Sequence, residues 1–156
     1  MSSIREDIVA AATLALNTSR PAGVPLFIRT RIDSPTVAQL PVATIYQAVE
    51  NVQSMREPRE GRTARGPIVR RSMLLKVEIL TSASEGTQPD KNADPILVWA
   101  VKAMASAGTF GGLANNRADE IETKFEYEQG EVSFCRSTLT FEILYQSNVT
   151  NPESVA

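Results

Sequence analysis

Two long stretches of this chain alternate apolar and polar residues, and a period of two belongs to a strand rather than a helix. In IVRRSMLLKVEILTS, residues 68 to 82, Met73, Leu75, Val77 and Ile79 share one face while Lys76 and Glu78 share the other. In VSFCRSTLTFEILYQS, residues 132 to 147, Leu139, Phe141, Ile143 and Tyr145 share a face. Half-buried strands of that length need a sheet and an apolar layer to pack against it. Phe134 has the opposite parity to that last face, which predicts a bulge or a switch of exposure near Arg136.

The remaining elements follow from shorter signals. Ser3 and Glu6 form a capping box, and Ile4, Ile8, Ala11 or Ala12, and Ala15 recur at helical spacing, so residues 3 to 16 read as an amphipathic helix ending at NTSRPAG. VPLFIRTRID sets Leu26, Ile28, Thr30 and Ile32 against Phe27, Arg29 and Arg31, a strand with a basic outer face; LPVATIYQAV is a second, shorter strand. DPILVWAVKAMASAG has Asp94 as N-cap, Pro95 at the first helical position and Gly108 as stop. Apart from Trp99 and Lys102 that helix is apolar nearly all round, which predicts a helix sandwiched in the interior. EIETKFEYEQGE pairs with the last strand as a hairpin about Gln129 and Gly130, Ile121, Phe125 and Tyr127 facing one way and the glutamates the other. The expectation is a single α+β domain over 1–156, a mainly antiparallel or mixed sheet against two helices, with a basic loop at about 52–67 and a frayed tail at about 148–156.

Bulk properties exclude several classes. A chain of 156 residues with 42% apolar and 22% charged residues can bury an ordinary core without a metal or disulfide. Cys135 is the only cysteine, so nothing indicates an oxidising compartment, and no run reaches the length of a membrane span. The first charges, Arg5, Glu6 and Asp7, are not those of a signal peptide, and a cytoplasmic setting makes the sequons at Asn17 and Asn148 chance matches.

The net charge of -2 hides two poles. Residues 56 to 71 carry six arginines against Glu57 and Glu60, net +4; residues 119 to 131 carry six acids against Lys124, net -5. Arg56, Arg59, Arg62 and Arg65 recur every third residue between Pro58, Gly61, Gly66 and Pro67, a spacing that suits an extended polyproline II arm and excludes one face of a helix. Such an arm is a solvated loop, a phosphate-binding element or an assembly contact. The pI of about 5.3 and the absence of aromatics within it weigh against nucleic acid as its main partner.

Catalysis and metals find no residues to carry them. Histidine is absent, and Ser72 and Lys76 lie about 13 Å apart on a strand. Asp90, Asn92 and Asp94 open like a calcium loop, but its sixth and twelfth positions are Pro95 and Val101. Cys135 has no companion ligand and reads as a buried structural thiol. GTFGGLANN follows a helix instead of preceding one, so it reads as a flexible connection rather than a phosphate loop. No catalytic residue, cofactor site or metal site is expected.

In the order of its features the chain resembles the tail terminator proteins of long-tailed bacteriophages, the lambda type. The resemblance is carried over residues 3 to 148 by the N-terminal helix, GVPLFIRTRI, the LPVATIY strand, the long strand after a variable loop, the DPILVWAVKAMA helix and the closing STLTFEILYQS. Two departures are Gln39 and Leu40, where an acid is expected before LP, and the length of the arginine arm. The resemblance implies an α+β fold, and a homo-hexameric ring that caps the tail tube protein, ends tube polymerisation and offers the surface to which the head, through its neck connector protein, attaches. It implies a virion protein of the tail or neck, assembled in the host cytoplasm, with DNA passing through the ring unread, no membrane and no enzyme activity. The expected interface joins Arg56, Arg59, Arg62, Arg65, Arg70 and Arg71 to Glu120, Glu122, Glu126 and Glu128 of another subunit or to the tube. Another neck or tail-completion component, and a soluble nucleic-acid-binding module using the arginine arm, stay open as alternatives.

Overall fold

A computed structural model describes residues 2–29, 35–54, 68–84 and 86–148. The described elements run α1 (Ile4–Asn17), β1 (Phe27–Arg29), a 3-10 turn at Val37–Gln39, β2 (Val42–Ser54), β3 (Ile68–Ser82), α2 (Pro89–Ser106), β4 (Asp119–Gln129) and β5 (Ser133–Asn148). The strands form one sheet in the order β1-β2-β3-β5-β4. β1 runs parallel to β2 and every other neighbour is antiparallel, so the sheet is mixed and the fold is α+β in one domain. Both helices lie on the same face of the sheet, α2 over β3 and β5, α1 over β1 and β2, and the two helices touch.

The core is that helix-facing side. Ile45, Met73, Leu75, Val77, Ile79, Leu139, Phe141 and Ile143 are buried under Ile4, Ile8, Ala12 and Leu16 of α1 and Ala93, Ile96, Ala100 and Met104 of α2. The parity read from residues 68 to 82 and 132 to 147 therefore holds. Ser3 caps α1 by accepting from the Glu6 amide, one half of the expected capping box, while the Glu6 carboxylate turns to Arg29 and Gln47. The helix ends where the Asn17 amide grips the backbone of Phe27 twice, donating to its carbonyl and accepting from its N–H, each at 2.8 Å. That bond gives Asn17 a structural role.

Several expectations are corrected. Phe27 is buried and Leu26 exposed, the reverse of the expected phase: α1 pins the Phe27 backbone, and the larger ring takes the core position. The strand at LPVATIYQAV is not short; β2 runs 13 residues and takes in 52–54, assigned above to the basic loop. α2 starts six residues early, with Gln88 as N-cap and Pro89 at its first turn, and Pro95 lies inside it. The first turn is anchored by Thr81 Oγ1 donating to the Pro89 carbonyl at 2.6 Å and by Asn92 Nδ2 donating to the Ser82 carbonyl at 2.9 Å. Those bonds fix the start where the chain leaves β3, and one missing N–H at Pro95 does not stop a helix already packed on the sheet.

Nor is α2 sandwiched: Asp94, Pro95, Val98 and Lys102 are exposed, because only one sheet and one helix border it. β5 keeps an unbroken register with β3 from Phe134 to Asn148, so there is no bulge at Arg136. The irregularity sits instead in β4, between Glu120 and Glu122. The glycine-rich connection is tied down: Phe110 and Ala114 are buried, the Asn115 N–H donates to the Leu144 carbonyl at 2.7 Å, and Asn116 Oδ1 accepts from the Leu144 N–H at 3.2 Å. Gly108, Gly111 and Gly112 all take positive φ, which lets this segment turn tightly enough to reach β5 beyond the start of β4.

Candidate assembly interface

The acidic pole is the edge of the sheet. Every side chain of β4 is exposed except Thr123, which is half-buried. The β4–β5 register divides the strand by face: Phe125 and Tyr127 stand beside Ser137 and Cys135 on the helix side, while Glu122, Lys124, Glu126 and Glu128 stand on the uncovered side. The bulge puts Glu120 beside Phe141, so it leaves the column formed by the other three predicted acids. Glu120 accepts instead from Thr123 Oγ1 at 2.9 Å.

Within the column, cations gather on one member. Lys124 Nζ lies 2.7 Å from Glu126 Oε1, and Arg136 Nη1 lies 3.8 Å from Glu126 Oε2. The hydrogen bond from Lys124 holds the Glu126 carboxyl below the usual carboxylate range. Tyr127 leans on the first turn of α2; partial burial, and then the charge of Asp90, push its phenol up.

The basic pole is split. Arg56, Arg59, Arg62 and Arg65 lie outside the described residues. Arg70 is exposed on the uncovered face, opposite Gln53 and Gln146. Arg71 points to the helix side and is engaged: Nη1 meets Glu50 Oε2 at 3.2 Å, and Nε donates to Ser147 Oγ at 3.1 Å. β4 pairs with Ser133–Glu142 of β5, whereas Arg70 and Arg71 pair with Gln146 and Tyr145. At least three residues of strand, ~10 Å, separate Arg71 from the nearest level of β4. Among the described residues, the two poles of one chain do not meet.

Glu50 was not among the expected site residues, yet it anchors the root of the arm. Its carboxylate, 14% exposed, takes the Arg5 guanidinium at 3.0 Å, the Arg71 guanidinium, and a short hydrogen bond from the Tyr145 hydroxyl. Burial, and then the bond to Glu50, push the Tyr145 phenol far up. A register shift between Gln47 and Val49 turns Glu50 to the helix side, where simple alternation from Ala43 and Ile45 would leave it outside. α1, β2, β3 and β5 are thus joined at the end of the sheet from which residues 55–67 depart. Beside this, Glu6 accepts from Arg29 at 2.8 Å and Gln47 at 3.2 Å. The Arg29 bond lowers the Glu6 pKa.

The sites weighed for chemistry have structural occupations. Cys135 is buried with Sγ 3.5 Å from Ser137 Oγ. Asp90, Asn92 and Asp94 lie in α2 rather than in a loop. Among the described residues no group of three or more Cys, Asp or Glu could hold a metal ion, and no helix is long and apolar enough to cross a membrane. A shallow apolar groove of about 460 Å³ runs between α1 and α2, lined by Leu14, Trp99 and Phe110 among others.

No family model matches the chain, and no curated protein matches it.

Proposed function

We propose that this chain is a non-enzymatic structural protein of a bacteriophage tail: a terminator whose copies close as a ring on the tail tube, end its growth and present the surface that the head connector meets. The observation that carries the reading is the separation of the two charged poles. An acidic strand stands exposed at one edge of the sheet, and Arg70 and Arg71 stand at a different level of it, so that among the described residues the two poles of one chain do not meet. Opposite charges placed that way are satisfied between copies, in a heterologous contact of the kind that closes rings. The order helix, strand, strand, basic segment, strand, helix, hairpin supports it, being the order on which the resemblance to lambda-type terminators rests. DNA would pass through the ring without sequence-specific contacts.

The test is replacement of Arg59, Arg62 and Arg65 together by glutamate. Loss of capping, with tails of unregulated length that fail to join heads, is the expected result. Tails of normal length carrying heads would refute the arm as an assembly contact. Duplex DNA binding that falls steeply with salt would instead favour the nucleic-acid module.

A further inference from the structure

The sheet has two unpaired edges, and they fit each other. On one side β4, among the described residues, pairs only with β5. On the other, β1 covers only Ala43–Ile45 of β2, so among the described residues nothing pairs with the outer edge of β2 from Val49 to Ser54. Of the nine exposed large apolar side chains among the described residues, five stand on these two edges: Val49 and Val52 on β2, Ile121, Phe125 and Tyr127 on β4. Single exposed apolar residues need no explanation, but concentration on free strand edges marks a pairing surface.

We propose that β4 of one copy adds antiparallel to the outer edge of β2, Val49 to Ser54, of the next copy, so that the sheet runs on from subunit to subunit. Only the number of copies rests on the ring reading above. The sense is right: β2, β3, β5 and β4 alternate in direction, so two copies the same way up bring β4 and β2 together antiparallel. The faces are right as well. With the helices of both copies on one side, a register setting Val52 against Thr123 places it beside Phe125, while Asn51 and Gln53 face Lys124 and Glu122. No like charges oppose each other.

Self-pairing of β4 fares worse. Centred on Phe125 it sets Glu122 against Glu128, which offsets the Lys124–Glu126 pairs of the same register, and centred one residue to either side it sets Lys124 or Glu126 against its own copy. An amphipathic strand that is acidic on one face therefore selects the edge of β2, whose uncovered-face residues Val49, Asn51 and Gln53 carry no charge, over itself.

The stagger has a consequence for shape. In one copy Val49 is level with Leu74, Glu142 and Asp119, so the two free edges occupy opposite halves of the sheet. Matching Val49–Gln53 to Glu126–Glu122 slides the neighbour by about six residues, ~20 Å, over the four strand spacings from β2 through β3, β5 and β4 to the next β2, ~19 Å. That is a strand tilt of about 45°, at the upper end of the range of about 35–45° at which sheets close on themselves. Ser54 then lies at the Glu120 end of the neighbour's β4.

Cysteine cross-linking tests the pairing. The full chain carrying both Asn51→Cys and Lys124→Cys, two exposed positions, is oxidised with copper phenanthroline and run on denaturing gels, with circular dichroism to verify folding. A ladder of covalent multimers is expected, with each single variant staying monomeric and a mixture of the two single variants yielding dimers. Dimers from Lys124→Cys alone would overturn the proposal in favour of β4 self-pairing. Rings of the unmodified protein by light scattering, with no ladder from the double variant or from Asn51→Cys with Glu126→Cys, would overturn the edge pairing and leave the ring reading standing. Absence of both ladder and rings would end both.

Discussion

Replacing Glu50 by alanine removes the acceptor that Arg5, Arg71 and Tyr145 share at the root of the arm. Arg5 is 42% exposed and its pair is screened, so its share is below about 1 kcal/mol. Arg71 is 22% exposed and keeps Ser147, so its loss is about 1 kcal/mol. Tyr145 is buried, and stranding its hydroxyl costs about 1–2 kcal/mol. Together the variant should lose about 3 kcal/mol, which for a chain of this size lowers the melting temperature by about 6–12 °C. Tyr145→Phe alone should cost about 1 kcal/mol, but in the Glu50→Ala background it should be neutral or stabilising, because the stranded hydroxyl goes with it. Urea unfolding of the four proteins in the cycle reads this directly. Strictly additive energies, with Glu50→Ala costing under about 1 kcal/mol, would refute the network as the tie between α1 and the long strands.

Three further outcomes follow from single residues. The folded Glu6 carboxyl is lowered by Arg29, so its stabilisation is present above the unfolded value of about 4.3 and is lost as pH falls through the folded one; Glu6→Gln should flatten the fall in melting temperature below about pH 4.3. Tyr145 is raised, so its contribution holds below the ordinary tyrosine value of about 10 and is lost as pH rises past it; Tyr145→Phe should remove that alkaline loss in a pH series of thermal melts. Pro95→Ala should stabilise by about 1–2 kcal/mol in urea, since the position is exposed and interior to α2; destabilisation would mean that the proline ends a helix there.

The parts of the fold that could be read from the sequence are those where one physical rule acts alone. The alternation from Met73 to Ile79 and from Leu139 to Tyr145 fixes the buried face because a strand has no other way to place such residues. Misreadings arose where two rules competed. Asp94 and Pro95 are an acceptable helix start, but so is Pro89, and the tertiary bonds from Thr81 and Asn92 decide between them. Phe27 and Leu26 are both apolar neighbours, and only the grip of Asn17 sets which one turns inward. For the interface, composition located the two poles but not their connection to the sheet. Arg70 and Arg71 look equivalent in sequence, yet alternation sends one to the uncovered face and the other to Glu50. Glu50 itself was hidden by the register shift at Gln47 to Val49, since bulges obey geometry between strands rather than the sequence of either one.

The central claim is that copies of this chain close into a ring through contacts between their charged poles. Light scattering on the purified protein over a concentration and salt series, with negative-stain imaging of the same fractions, tests it most directly. Six-membered rings of about 102 kDa, six times the 17.0 kDa chain, that loosen as salt rises are the expected result. A 17.0 kDa monomer at every concentration and salt would contradict it.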